Sequence, residues 1–152
     1  TMVGVPVLYV HGNHDDKYSM NPPEGCTCIE DKVYEYEGVR FVGLGGSNRY
    51  KPGKNQYTEK QMTHRAKKLK WKIWRKKGFD ILVTHSPARG LNDGEDMCHK
   101  GFEIFNKLIE EYKPKYFVHG HVHMCYGRNY KRIDHVGDTT VINAYEKYIL
   151  EL

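Results

Sequence analysis

No apolar run in the 152-residue chain approaches the ~20 residues a membrane-spanning helix needs, so no segment reads as a bilayer span. There is no C-x-x-C pair either. Of the four cysteines, Cys26 and Cys28 form only a C-x-C, while Cys98 and Cys125 stand apart. The common zinc and dithiol modules are therefore not signalled. The plain reading is reduced, partly buried thiols in a cytoplasmic protein, with a cysteine metal site as the alternative. The glycine-rich segment from Gly45 to Gly53 lacks phosphate-loop spacing. No repeat, linker or low-complexity stretch interrupts the chain, and 39% hydrophobic with 28% charged residues is the balance of a folded domain over 1–152.

Acidic residues are nearly missing from one stretch. Between Thr58 and Lys77 there are nine cations and a single acid, Glu59, a local charge of +8 against +5 for the whole chain. The basicity is thus one local feature. A solvated helix face is its plain reading, and contact with nucleic acid or another anionic surface is the functional one.

Residues 5–10 form a near-continuous apolar run rich in β-branched side chains, expected as a strand buried on both faces. Residues 15–31 read as loop around Asn21-Pro22-Pro23. Strands at 33–36 and 39–44 flank Glu37-Gly38, a hairpin signal. Thr58 opens a helix with Gln61 as its capping-box partner. Met62, Ala66, Leu69 and Ile73 repeat at helical spacing, and Gly78 closes the segment. Helical spacing sets Trp74 nearer that apolar stripe and Trp71 towards its edge. A second apolar strand at 79–84 leads into a long loop, 85–100. Phe102, Phe105, Leu108, Ile109 and Tyr112 mark a second helix, stopped near Pro114. Strands are expected at 115–118, 133–136, 140–142 and 148–152. The order is mixed α/β, with helices covering sheets.

Three apolar strands end in the same kind of residue. His11, Asn13, His14 and Asp15 follow the first, His85 the second, and His119, His121 and His123 the third. Loops at strand carboxyl ends are where open α/β sheets hold ligands. Imidazole, carboxylate and amide oxygen together suit zinc, iron or manganese. His121 and His123, two apart on a turn leaving a strand, can both reach one metal region. His11 and His119 are expected to pack or support, and His64 and His135 to lie on the surface.

Gly12-Asn13-His14-Asp15, Thr84-His85 and Gly120-His121-Val122-His123 resemble the last three signature motifs of the calcineurin-like metallophosphoesterases, in order and spacing. The stretch from Ser86-Pro87-Ala88-Arg89 through Asp96-Met97-Cys98-His99-Lys100-Gly101 resembles a bacterial branch whose substrates are poorly defined. The resemblance implies a four-layer αββα sandwich carrying two divalent metal ions (manganese, iron or zinc) and hydrolysing phosphate mono- or diesters. It implies Asn13, His85 and His121 as ligands of one metal and His123 as a ligand of the other. It further implies His14 assisting the leaving group, Asp15 orienting His14, and Arg89 and His99 contacting substrate.

The family's first two motifs, which carry further carboxylates including the one bridging the metals, have no counterpart before Asn13. The expectation is therefore an N-terminally truncated domain: 1–152 as the C-terminal two-thirds, at most one metal bound well, and impaired hydrolysis. The exposed edge of the first strand leaves self-association open. The alternative is a binding or scaffold module that keeps the fold without catalysis.

Overall fold

The computed structural model describes residues 4–17, 20–124 and 130–152. Cys125 lies outside them. Twelve elements follow in order: β1 (Val7–Tyr9), β2 (Cys26–Cys28), β3 (Lys32–Tyr36), β4 (Val39–Leu44), β5 (Ser47–Asn48), β6 (Gln56–Tyr57), α1 (Glu59–Arg75), β7 (Ile81–Thr84), α2 (Glu103–Tyr112), β8 (Tyr116–His119), β9 (Ile133–Val136) and β10 (Thr139–Asn143).

The helices form for the reasons their sequences give. At α1 the Thr58 hydroxyl accepts the Gln61 amide and the Gln61 side chain accepts the Thr58 amide, a complete capping box. Met62, Ala66, Leu69 and Ile73 are its buried stripe. At α2 the cap position is Phe102, which has no side chain to accept an amide. The Glu59 carboxylate of α1 supplies the acceptors instead, taking the Glu103 and Ile104 amides at 3.0 and 2.9 Å. A carboxylate there also suits the positive end of the α2 dipole.

Six strands make the main sheet in the order β3-β4-β7-β8-β10-β9. The inner four are parallel, and β3 and β9 close the two edges antiparallel. The β3–β4 hairpin turns on Glu37 and Gly38, both left-handed at φ +48° and +80°. Side chains alternate across the sheet. Val42, Leu82, Phe117 and Val141 join the helix stripes in one core. Residues of the opposite parity, including Phe41, Ile81, Val83, Val118 and Ile142, line an apolar groove of about 270 Å³ on the other face. The described residues thus supply a helix layer and a sheet layer of the expected α/β arrangement. None of their helices is long and apolar enough to cross a membrane.

Three expectations are corrected. The first strand is not buried on both faces: β1 is half-buried, Val5 is 56% exposed, and β1 pairs in parallel with β2, drawn from a segment expected as loop. The 148–152 segment is not a strand. Its alternation is real, because Tyr148, Leu150 and Leu152 all line the apolar groove, but no strand pairs with its backbone among the described residues. Trp74 does not approach the apolar stripe either. It sits about 100° around the helix from Ile73, and both tryptophans are exposed.

Candidate metal centre

Backbone bonds tie the loops after β7 and β8 to each other and to the end of β10. The Gly120 amide donates to the His85 carbonyl at 3.0 Å, and the Ala144 amide to the His119 carbonyl at 2.7 Å. Buried Asn143 donates its side-chain amide to the Val122 carbonyl at 2.9 Å, which pins the histidine turn from β10. His121 itself is left-handed at φ +65°. A non-glycine residue in that region costs free energy, and such residues gather at functional sites where the surroundings hold them in place.

Asn13 is buried, and its Oδ1 lies 2.9 Å from His85 Nε2. The His85 and His121 ring centroids are 4.6 Å apart, and those of His121 and His99 are 5.0 Å apart. Gly12 allows this closeness: a Cβ there would stand 3.0 Å from both Asp15 Oδ2 and His85 Cε1. One ligand atom each from Cys98, His99 and His121 falls within 4.8 Å of the others. His121 Nε2 faces the Cys98 carbonyl at 2.8 Å and its Sγ at 3.8 Å. Cys98, His99 and His121 thus group their donor atoms, with the Asn13–His85 pair beside them, and amide oxygen, imidazole and thiol are donors that suit a borderline-soft divalent ion.

Protonation supports that set. Burial, aided by the fields of His121, His14, His119 and His123, pushes the His85 imidazole down to about 3. Burial likewise pushes His119 down to about 4, against a hydrogen bond to the Gly120 carbonyl, and lowers His121. All three rings therefore keep their lone pairs at neutral pH. Burial raises the Cys98 thiol, so a metal would have to displace its proton.

The same values set a pH dependence. A histidine whose folded pKa is depressed leaves stability intact above its ordinary value of 6.5. Stability is lost as pH falls towards about 3 for His85 and about 4 for His119, because only the unfolded state takes up protons across that window. The urea midpoint of metal-free protein is expected to fall steadily from pH 7 to pH 4. Equal midpoints at both ends would contradict these values.

The remaining expected residues are placed as follows. His14 is exposed. The Asp15 carboxylate accepts the Gly12 amide at 2.6 Å through Oδ2, which holds its own loop. His123 is exposed, its ring 4.7 Å from that of Tyr145. Arg89 pairs with Asp93 at 2.9 Å, and Asp93 also accepts the Gly90 and Gly101 amides, so Arg89 braces the 85–100 loop. His99 reaches the centre through its contact with His121, with Asp96 at 2.9 Å from its Nδ1. His119 packs on Phe117, and His64 and His135 are on the surface, all as expected.

Two neighbours of the centre carried little sequence signal. At Cys98 the signals were the general alternative of a cysteine metal site and its place before His99. Tyr50 arrives from the glycine-rich loop, its hydroxyl 3.4 Å from Asn13 Nδ2. A third group supports the loops from behind. Glu30 accepts the His11 amide and the Gly45 amide, each at 3.0 Å, and pairs with Arg65 of α1.

The parallel strands β7 and β8 end in clustered imidazoles, and the loop after β1 brings an amide beside them, which defines an α/β protein with a candidate metal centre. Residues 1–125 match the family model of the calcineurin-like phosphoesterases, and the chain belongs to that family. It is 30% identical over 153 residues to the uncharacterized protein MJ1162 of Methanocaldococcus jannaschii, covering 93% of this chain and 64% of that one. It is also 30% identical over 128 residues to UPF0046 protein C25E10.12 of Caenorhabditis elegans, covering 78% and 41%. The crystal structure of TT1561 of Thermus thermophilus superposes with TM-score 0.60 at 16% identity, over 93% of this chain and 63% of that one. The chain thus spans less than two-thirds of each of these proteins.

Proposed function

We propose that this chain carries the metal-binding part of a phosphoester hydrolase, with Asn13, His85 and His121 holding one divalent ion and Cys98 and His99 close beside it. The observation that carries the reading is the 2.9 Å approach of Asn13 Oδ1 to His85 Nε2 with the His121 ring 4.6 Å from that of His85. When bound, the ion would neutralise phosphate oxygens and acidify the attacking water. His14, exposed beside this group, is free to enter a substrate's leaving-group side and give up a proton there. Exposed His123 is the one matched donor left for a second ion, so one ion is expected to bind far better than two. The hydroxyl of Tyr50, beside Asn13, is placed to donate a hydrogen bond to a phosphate oxygen. Cys26, Cys28 and Cys98 are free thiols, which suits a reducing cytoplasmic setting.

The test is metal content after equilibration with manganese, iron or zinc, together with turnover of bis(4-nitrophenyl) phosphate with and without chelator. About one tightly held ion and chelator-sensitive turnover are expected, with more of both in a chain extended upstream. Metal retention with no turnover in either chain would favour a non-catalytic binding module. Failure to retain metal would end the reading.

A further inference from the structure

Independent of that centre, α1 has an outward face that its own packing leaves unexplained. The chain's two tryptophans both lie on it, Trp71 at 61% and Trp74 at 73% exposure. Taking 100° per residue, Lys60, Lys67, Trp71 and Trp74 fall within about 60° of one another, on the exposed side of the helix. Indoles are costly to leave in water and are enriched where a partner covers them. Part of the helix charge is already neutralised within the fold: Lys70 by Glu111, Lys76 by Glu35, and Arg65 by Glu30 and Asp31. Lys60, Lys67, Lys68 and Lys72 are exposed and have no ion pair among the described residues. Arg75 lies over the Trp71 ring at 4.7 Å. Beside it, between α1 and the edge strand β3, is a surface groove of about 380 Å³ with Val33 and Trp71 in its walls and Lys72, Arg75 and Lys76 around it.

We propose that this face and the groove beside it dock single-stranded nucleic acid, with bases stacking on Trp71 and Trp74 and phosphates lying against Lys67 on the face, Lys68 at its margin and Lys72 at the groove. Charge complementarity calls for a polyanion, and exposed flat indoles call for one that also presents π-faces. Single strands offer both, whereas a duplex keeps its bases stacked internally. An anionic membrane answers the charge but not the shape. Interfacial helices insert an apolar face, and the apolar face of α1 is already spent in the core, with Met62, Leu69 and Ile73 at 0–2% exposure.

The two tryptophans make the surface self-reporting, since indole fluorescence excited at 295 nm reads this face alone. In chelator and low salt, a twelve-nucleotide oligothymidylate is expected to quench that emission saturably, and added salt should reverse the quenching. By anisotropy of a labelled oligonucleotide, Lys67→Glu/Lys68→Glu/Lys72→Glu and, separately, Trp71→Ala/Trp74→Ala should each weaken binding by ~10-fold or more. Unchanged circular dichroism and metal retention would show that these surface variants fold. No saturable quenching, affinity indifferent to both variants, or quenching by phosphatidylserine vesicles but not by oligonucleotide would each overturn the proposal.

Discussion

Replacing His85 with alanine is expected to weaken binding of a divalent ion by ~100-fold or more, since even supporting groups behind metal ligands are worth 10–100-fold. That loss corresponds to at least ~2.7 kcal/mol. The residue is the hinge of the donor set. It touches Asn13 Oδ1 at 2.9 Å on one side, and on the other its ring is tilted against that of His121 with centroids 4.6 Å apart. Its ring also requires no deprotonation, because its pKa has been driven down to about 3. Alanine should leave the strand intact, since the bonds of the His85 backbone do not involve the ring: its carbonyl accepts the Gly120 amide. Cys98→Ser is expected to cost less, ~10-fold for zinc, because a raised thiol must first lose its proton. Competition with a chromophoric chelator at pH 7.5 measures both. If His85→Ala binds as the parent does, the ion sits on Cys98, His99 and His121 without the Asn13 side of the site. Cys98→Ser would then become the damaging change.

The parts of this architecture that were legible in the sequence are those set by short-range chemistry. The Thr58–Gln61 cap, the Met62-to-Ile73 stripe, the Glu37-Gly38 hairpin and the strand-end histidines each follow from residues a few positions apart. The convergence of Asn13, His85 and His121 needed the family pattern, because 72 residues separate the Asn13 and His85 side chains that meet at 2.9 Å. What stayed hidden depended on groups distant in sequence. Glu59 caps α2 across 44 residues. Tyr50 and Cys98 reach the centre from irregular loops with no periodicity to read. The 148–152 segment carried a true alternation that means groove lining rather than strand pairing. Strand identity is decided by a partner's backbone, and a one-dimensional pattern contains no partner. For Asp15 and Arg89 the pattern named plausible residues but not their neighbours, and nearby backbone amides and Asp93 claim those side chains in this structure.

Arg65→Ala is expected to destabilise the fold by ~3–5 kcal/mol, the loss seen when one partner is removed from a buried ion pair. Arg65 and Glu30 side chains are only 10% and 15% exposed. The guanidinium pairs with Glu30, donates to Asp31 Oδ1 at 2.9 Å, to the Gly45 carbonyl at 2.8 Å and to Met62 Sδ at 3.5 Å, and lies 4.2 Å over the Tyr57 ring. Alanine would strand the Glu30 carboxylate in a poorly solvated position, left with the His11 and Gly45 amides and the His11 ring, whose Nδ1 is 3.4 Å away. Those two amides flank the Asn13 loop and the glycine-rich loop that brings Tyr50. The damage should therefore extend to the metal centre, as weaker ion binding at temperatures where the variant is still folded. Arg65→Lys keeps the charge but loses the fork that serves Glu30, Asp31 and Gly45 together, so an intermediate loss is expected. Adding Glu30→Gln to Arg65→Ala should recover part of the stability, because the stranded charge is gone. Urea denaturation of the parent, the single variants and the double variant separates these terms. A loss below ~1 kcal/mol for Arg65→Ala would place the pair with ordinary surface bridges. The loops around Asn13 and Tyr50 would then have to be held by their backbone bonds alone.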